Sequence, residues 1–91
     1  MPQSCEETIQ SHRDAIDRID EQLVCLLNER AEHSLAIRDI KNADNMSVYD
    51  PRREEEILCR ISTINSGPLY NGHLEEIYTS VLKVMKEVPR P

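Results

Sequence analysis

The 91-residue chain contains neither Phe nor Trp, and it has only two Gly. Its core must therefore consist mainly of Ile, Leu, Val and Ala, and a chain of this length buries only a modest core. Neither Gly nor Pro occurs between Pro2 and Pro51, so nothing in that region interrupts a helix. We expect a single domain, residues 1–91, in which association with a second copy supplies the missing burial.

Basic charge is also scarce, since the net charge is −6 at pH 7. A surface that binds nucleic acid or an anionic membrane needs clustered Lys and Arg, so both partners are excluded. No apolar run is long enough to span a bilayer, and no leader pattern opens the chain. The three cysteines show neither CxxC nor zinc-ligand spacing, which predicts reduced thiols and no metal. We expect a soluble cytoplasmic protein.

The hydrophobic pattern predicts an all-α fold with one very long helix, one short helix and one medium helix. In the first helix, positions at alternating spacings of three and four form a heptad-like seam. The seam consists of Ile9, Arg13, Ile16, Asp20, Leu23, Leu27, Arg30, Ser34, Ile37 and Lys41. We expect frayed residues 1–8, with Ser4 or Thr8 as a cap, and a helix that ends near Ala43.

Two further helices follow. The run Asp50-Pro51-Arg52-Arg53-Glu54 combines a capping Asp, a Pro at the first helical position and an acid in the first turn, which predicts a helix start. This second helix ends near Asn65, before Ser66-Gly67-Pro68. The third begins near Gly72 and is ended by Pro89. Residues 89–91 are expected to be a tail or the start of a linker.

Cations interrupt the apolar seam of the first helix. Arg30 and Lys41 are eleven residues apart, close to three turns, so they project from nearly the same side about 16 Å apart. Arg13 lies seventeen residues before Arg30, roughly 25 Å along the axis, and must come from another subunit if it joins the same small site. Each cation alone suits a solvated or ion-paired role, but three on one seam favour a pocket for an anion with two carboxylates.

The start of the second helix contains two more cations that are candidates for the anion pocket, Arg52 and Arg53. In the simplest interpretation Asp50 is no more than a helix cap, and Arg52 and Arg53 are solvated. Arg53 shares a face with Ile57, whereas Arg52 is turned away by about 100°. Arg53 is therefore the better candidate for an inward role.

The order Arg13, IDRID, LLNER ending at Arg30, then Lys41 and DPRRE resembles the all-helical chorismate mutases. These occur alone or as the amino-terminal domain of chorismate mutase/prephenate dehydratases. The resemblance covers nearly the whole chain and implies an intertwined homodimer of three-helix subunits. It implies that Arg13 reaches the partner's site, that Arg30 and Arg53 bind substrate carboxylates, and that Lys41 contacts a carboxylate and the ether oxygen. Asp50 and Glu54 would contact the substrate hydroxyl and order the site.

The reaction implied by the resemblance is the rearrangement of chorismate to prephenate. This unimolecular step needs no cofactor, metal or nucleophile, and Arg30, Lys41 and Glu54 would carry the catalysis by binding one conformer and stabilising charge. An isochorismate-pyruvate lyase of the same fold is an alternative, although DPRRE favours the mutase. A non-catalytic helical module for dimerisation or metabolite sensing is a third interpretation.

The third helix departs from the family pattern. Met85 occupies a position where Ser is common, and Pro89 occupies the position of a Gln or Glu that donates to the ether oxygen. Losing such a donor lowers the rate by about a hundredfold. The departure therefore predicts reduced activity, a different register at the carboxyl end, or a truncated domain.

Overall fold

The computed structural model describes residues 2–89, with the side chains of residues 4–89. Helix α1 comprises Pro2–Ala43, α2 comprises Pro51–Ile64 and α3 comprises Asn71–Glu87. Within these described residues there is no strand, so the predicted all-α fold of one long, one short and one medium helix is confirmed. The predicted tail lies outside the described residues except for Pro89. No helix in the described part of the chain has the length and apolarity to cross a membrane.

The start of α1 differs from the sequence prediction. The helix begins at Pro2, so Ser4 and Thr8 lie inside it and neither caps it. The Thr8 hydroxyl instead donates to the Ser4 carbonyl at 2.6 Å. A Thr hydroxyl can bond in this way to the carbonyl one turn earlier, which satisfies the side chain without ending the helix.

The end of α1 is fixed by a Schellman motif. Asn45 has a φ of 56°, the left-handed conformation that Asn tolerates better than most residues. The Met46 amide donates to the Lys41 carbonyl at 2.7 Å, and the Asn45 amide donates to the Asn42 carbonyl at 3.3 Å. The helix therefore stops at Ala43, as predicted, and the position of Lys41 next to the following loop is well defined.

Helix α2 starts as the sequence predicts. Asp50 accepts a bond from the Arg53 amide at 3.1 Å through Oδ1, and Pro51 occupies the first turn. The helix ends at Ile64, and the Asn65 side chain then donates to the Leu69 carbonyl at 2.8 Å in the connection to α3. This cap and the short connection determine how the chain enters and leaves α2.

The chain divides into two units, Met1–Glu32 and His33–Pro91. In the second unit, α2 and α3 pack against each other. The buried apolar residues among those described are Ile61, at 6% exposure, and Met85, at 7%. The second unit also contains half-buried apolar side chains: Leu35, Ile57, Leu58, Leu74, Tyr78, Val81, Leu82 and Val88. This is a small core, as expected for a chain without Phe or Trp.

The first unit carries a row of exposed apolar side chains, which we call the α1 apolar row. Its members are between 42% and 59% exposed. They are Ile9, Ile16, Ile19, Leu23, Val24, Leu26 and Leu27. A contiguous exposed apolar surface of this kind is uncommon on monomeric proteins.

Candidate active site

Charged side chains from all three helices meet near the start of α2. The ammonium of Lys41 on α1 lies 3.6 Å from Oδ2 of Asp50. The ammonium of Lys86 on α3 lies 2.5 Å from Oε1 of Glu54 on α2. We call these four residues the charged cluster. Two of its members are cations and two are carboxylates, so its formal charge is balanced.

Backbone geometry places the two acidic residues of the cluster one turn apart. The Glu54 amide donates to the Asp50 carbonyl at 3.3 Å, which is the spacing of one helical turn, about 6 Å along the axis. Asp50 is held by its capping bond to Arg53, and Lys41 is held by the motif that ends α1. The cluster is therefore built from the well-defined ends of two helices and from α3.

The side chains of the charged cluster differ in how much of their surface is exposed. The side chains of Lys41 and Glu54 are 20% and 30% exposed, whereas that of Lys86 is 61% exposed. A half-buried ammonium loses hydration and needs oxygen partners, which a carboxylate of the protein or of a ligand can supply. This arrangement can bind a small anion through Lys41 and Lys86 while the two carboxylates accept bonds from ligand hydroxyl groups.

Arg38 fixes the end of α3 beside the cluster, and the sequence analysis did not identify it. Its Nη1 donates to the Val88 carbonyl at 2.8 Å, and its Nη2 donates to the carbonyls of Met85 at 2.9 Å and Lys86 at 3.2 Å. The last carbonyls of a helix have no partner within the helix, and a guanidinium can satisfy several at once. Arg38 therefore positions the turn that carries Lys86.

Replacing Arg38 with Ala is expected to lower the free energy of unfolding by about 2 kcal/mol, because bonds from a charged donor to three carbonyls, two of them part-buried, are lost. Urea unfolding at fixed protein concentration measures this change. The exposed Arg60 of α2 provides a matched control, and Arg60→Ala should leave the midpoint nearly unchanged. Equal midpoints for both variants would contradict the role assigned to Arg38.

Three of the six residues predicted for the site, Lys41, Asp50 and Glu54, belong to the cluster. Arg53 does not join it in the single chain. Its side chain is 58% exposed and its Nη1 lies 3.5 Å from Glu56, whereas Arg52 is 90% exposed. A carboxylate three residues along α2 thus lies beside the guanidinium in this chain, as i,i+3 ion pairs do on exposed helix faces. Contact of Arg53 with a ligand remains a prediction.

Arg13 and Arg30 belong to the unit Met1–Glu32. Arg13 is exposed and Arg30 is half-buried. Their assignment to substrate carboxylates stays a prediction that rests on the resemblance and on their spacing along α1.

The third helix contributes a polar group at a position that the sequence analysis overlooked. Met85 is buried in the core, because it continues the apolar face of α3. Pro89 follows the end of the helix and is exposed. Lys86 comes one residue after Met85, turned by about 100°, and it contacts Glu54. Its place in the last turn of α3 was visible in the sequence, but its contact with α2 was not.

Comparison with known proteins identifies the family. The family model described as "Chorismate mutase type II" matches residues 12–90. A bifunctional chorismate mutase/prephenate dehydratase of Neisseria gonorrhoeae is 40% identical over 91 residues, which is all of this chain and 25% of that protein. The protein of the same description from Aquifex aeolicus is 41% identical over 66 residues, which is 72% of this chain and 18% of its own length. The chain thus spans about a quarter or less of these relatives.

A solved structure shows the same fold. Form II of chorismate mutase from Thermus thermophilus superposes with a TM-score of 0.86 at 28% identity, covering 88% of this chain and 91% of that one. The family match, the relatives and the three-helix fold agree with the motifs at Arg13, Arg30, Lys41 and Asp50–Glu54. The chain belongs to the type II chorismate mutase family.

Proposed function

We propose that this chain is a chorismate mutase that converts chorismate to prephenate. The observation that carries the proposal is the charged cluster, in which Lys41 of α1 lies beside Asp50 of α2 in a chain of the chorismate mutase family. The rearrangement breaks one C–O bond and forms one C–C bond within a single molecule. It therefore needs a site that selects a conformer and stabilises charge.

Each residue of the proposed site has its own role in binding the substrate or stabilising charge. The guanidinium groups of Arg13, Arg30 and Arg53 bind the two substrate carboxylates, a task for which their planar, fork-like donors are suited. The Lys41 ammonium contacts a carboxylate and the ether oxygen, where negative charge grows as the C–O bond breaks. Asp50 and Glu54 accept bonds from the substrate hydroxyl and hold the cations in place. Fixing the compact conformer removes the entropic part of the barrier.

The active form is a homodimer in which each site receives Arg13 from the partner subunit. Two observations support this assembly. The α1 apolar row is about half exposed in the single chain, and its members Ile9, Ile16 and Leu23 recur every seven residues, as they do where two helices pack side by side. The core of α2 and α3 alone is small, so pairing of α1 with a second copy supplies burial.

A substitution in the α1 apolar row should split the dimer. Leu23→Lys places a charge in the centre of the row, and we expect sedimentation equilibrium to show monomer at concentrations where the unsubstituted protein is a dimer, with loss of activity. Gln22→Lys adds the same charge to an adjacent exposed position and should remain dimeric. A Leu23→Lys protein that is still dimeric would exclude this row as the interface.

The direct test is turnover. Purified protein incubated with chorismate is expected to deplete chorismate absorbance and to form an equal amount of prephenate. Isochorismate is assayed in parallel, and release of pyruvate from it without prephenate formation would instead identify a lyase. Absence of turnover with both substrates, together with no calorimetric binding of a bicyclic dicarboxylate transition-state analogue, would identify a non-catalytic module.

A further inference from the structure

We propose that Lys86 is a further catalytic residue of this site, and that its ammonium donates a hydrogen bond to the ether oxygen of the substrate. The inference rests on the proposed function. Met85 is buried and Pro89 has no polar side chain, so neither residue can supply a donor from α3. Lys86 contacts the charged cluster through Glu54 and supplies a donor from that helix. No proton is transferred, because the ammonium only stabilises charge as the C–O bond breaks.

The two ammonium groups of the cluster pair with acidic residues that lie one helical turn apart at the start of α2. Lys41 lies beside Asp50 and Lys86 lies beside Glu54, and the backbones of Asp50 and Glu54 are one helical turn apart, about 6 Å along the axis. A ligand between the two cations can accept bonds from both. Lys86 is 61% exposed and has a flexible four-carbon stem, so its ammonium can move from Glu54 to a ligand without a change in the backbone.

The backbone that carries Lys86 is nevertheless fixed. Arg38 donates to the carbonyl of Lys86 and to the carbonyls of Met85 and Val88. Lys86 is the exposed partner of a half-buried Glu54, and an ion pair with an exposed partner contributes little to stability. A fixed backbone with a mobile charged tip is suited to binding a ligand.

The Lys86→Gln variant tests the proposal. We expect kcat for chorismate to fall by about a hundredfold, because one charge-stabilising donor is lost, while KM changes by less than about threefold, since that donor acts chiefly in the transition state. Lys83→Gln removes the same charge from an exposed position one turn earlier on α3 and should keep full activity. Thermal unfolding should give similar midpoints for both variants. Full activity of Lys86→Gln would overturn the proposal.

A double variant separates direct contact from an action through Glu54. If Lys86 only held Glu54 in place, Glu54→Gln combined with Lys86→Gln would be as active as Glu54→Gln alone, and this result would overturn the proposal. We expect a further loss of about tenfold or more in the double variant, because the substrate then loses two separate contacts.

If the unsubstituted protein itself does not convert chorismate, the proposed function fails and this inference fails with it. Activity in the unsubstituted protein and in Lys86→Gln overturns only the inference.

Discussion

Replacing Arg30 with Ala is expected to lower kcat/KM for chorismate by about a thousandfold. Arg30 is half-buried on α1, and its guanidinium is proposed to bind a substrate carboxylate through paired bonds. Truncating one partner of a desolvated charge pair costs about 4 kcal/mol, and every 1.4 kcal/mol corresponds to a tenfold change. Initial rates of chorismate depletion over a range of substrate concentrations measure the effect.

The control for Arg30→Ala is again Arg60→Ala, which removes an exposed arginine from α2 and should change kcat/KM by less than about twofold. Circular dichroism and sedimentation must show that Arg30→Ala remains helical and dimeric, so that the loss is assigned to the site. A folded, dimeric Arg30→Ala protein with more than a tenth of the original kcat/KM would remove Arg30 from the substrate site.

Mixing inactive variants is expected to restore activity if sites are shared between subunits. Each site takes Arg30 from its own chain and Arg13 from the other chain. In a mixed dimer of Arg13→Ala and Arg30→Ala chains, one site therefore has both arginines and the other site has neither. Refolding equal amounts together makes half of the dimers mixed, so activity should recover to about a quarter of that of the unsubstituted protein. Each variant refolded alone should stay nearly inactive.

The matched control for the mixing experiment is a pair of variants that each lack a residue supplied by a chain to its own site. Lys41→Ala and Arg30→Ala both remove groups that a chain supplies to its own site, so their mixed dimer has no intact site and should recover no activity. Different affinity tags on the two chains establish that mixed dimers have formed. Mixed dimers of Arg13→Ala and Arg30→Ala that form but stay inactive would contradict the shared site.

The helices were predictable from the sequence because their signals are local. The absence of Gly and Pro between Pro2 and Pro51 predicts the long α1. The Asp50-Pro51 pair predicted the start of α2, where the capping bond at 3.1 Å is found. Helix ends also depend on residues close in sequence. The early start of α1 was missed because Ser4 and Thr8 suit both a cap and a helix interior.

Contacts between helices were the part that the sequence could not supply. The family resemblance predicts Lys41, Asp50 and Glu54 for the site, but nothing local in the sequence places Lys86 against Glu54. Likewise, no pattern in the sequence predicts the bonds from Arg38 to the end of α3. The residues that accept these bonds are 47 to 50 positions away along the chain. The helical period favours Arg53 over Arg52 for contact with a ligand, which stays a prediction, and in the single chain its guanidinium lies 3.5 Å from the Glu56 carboxylate.

The central claim, a dicarboxylate site assembled from cations of two subunits, is tested most directly by a crystal structure with a bicyclic dicarboxylate transition-state analogue bound. The account predicts a dimer in which the analogue's carboxylates contact Arg30, Arg53 and the partner subunit's Arg13. Its ether oxygen should lie within hydrogen-bond distance of the ammonium groups of Lys41 and Lys86. An analogue held by one chain alone, or bound away from Lys41, would contradict the account.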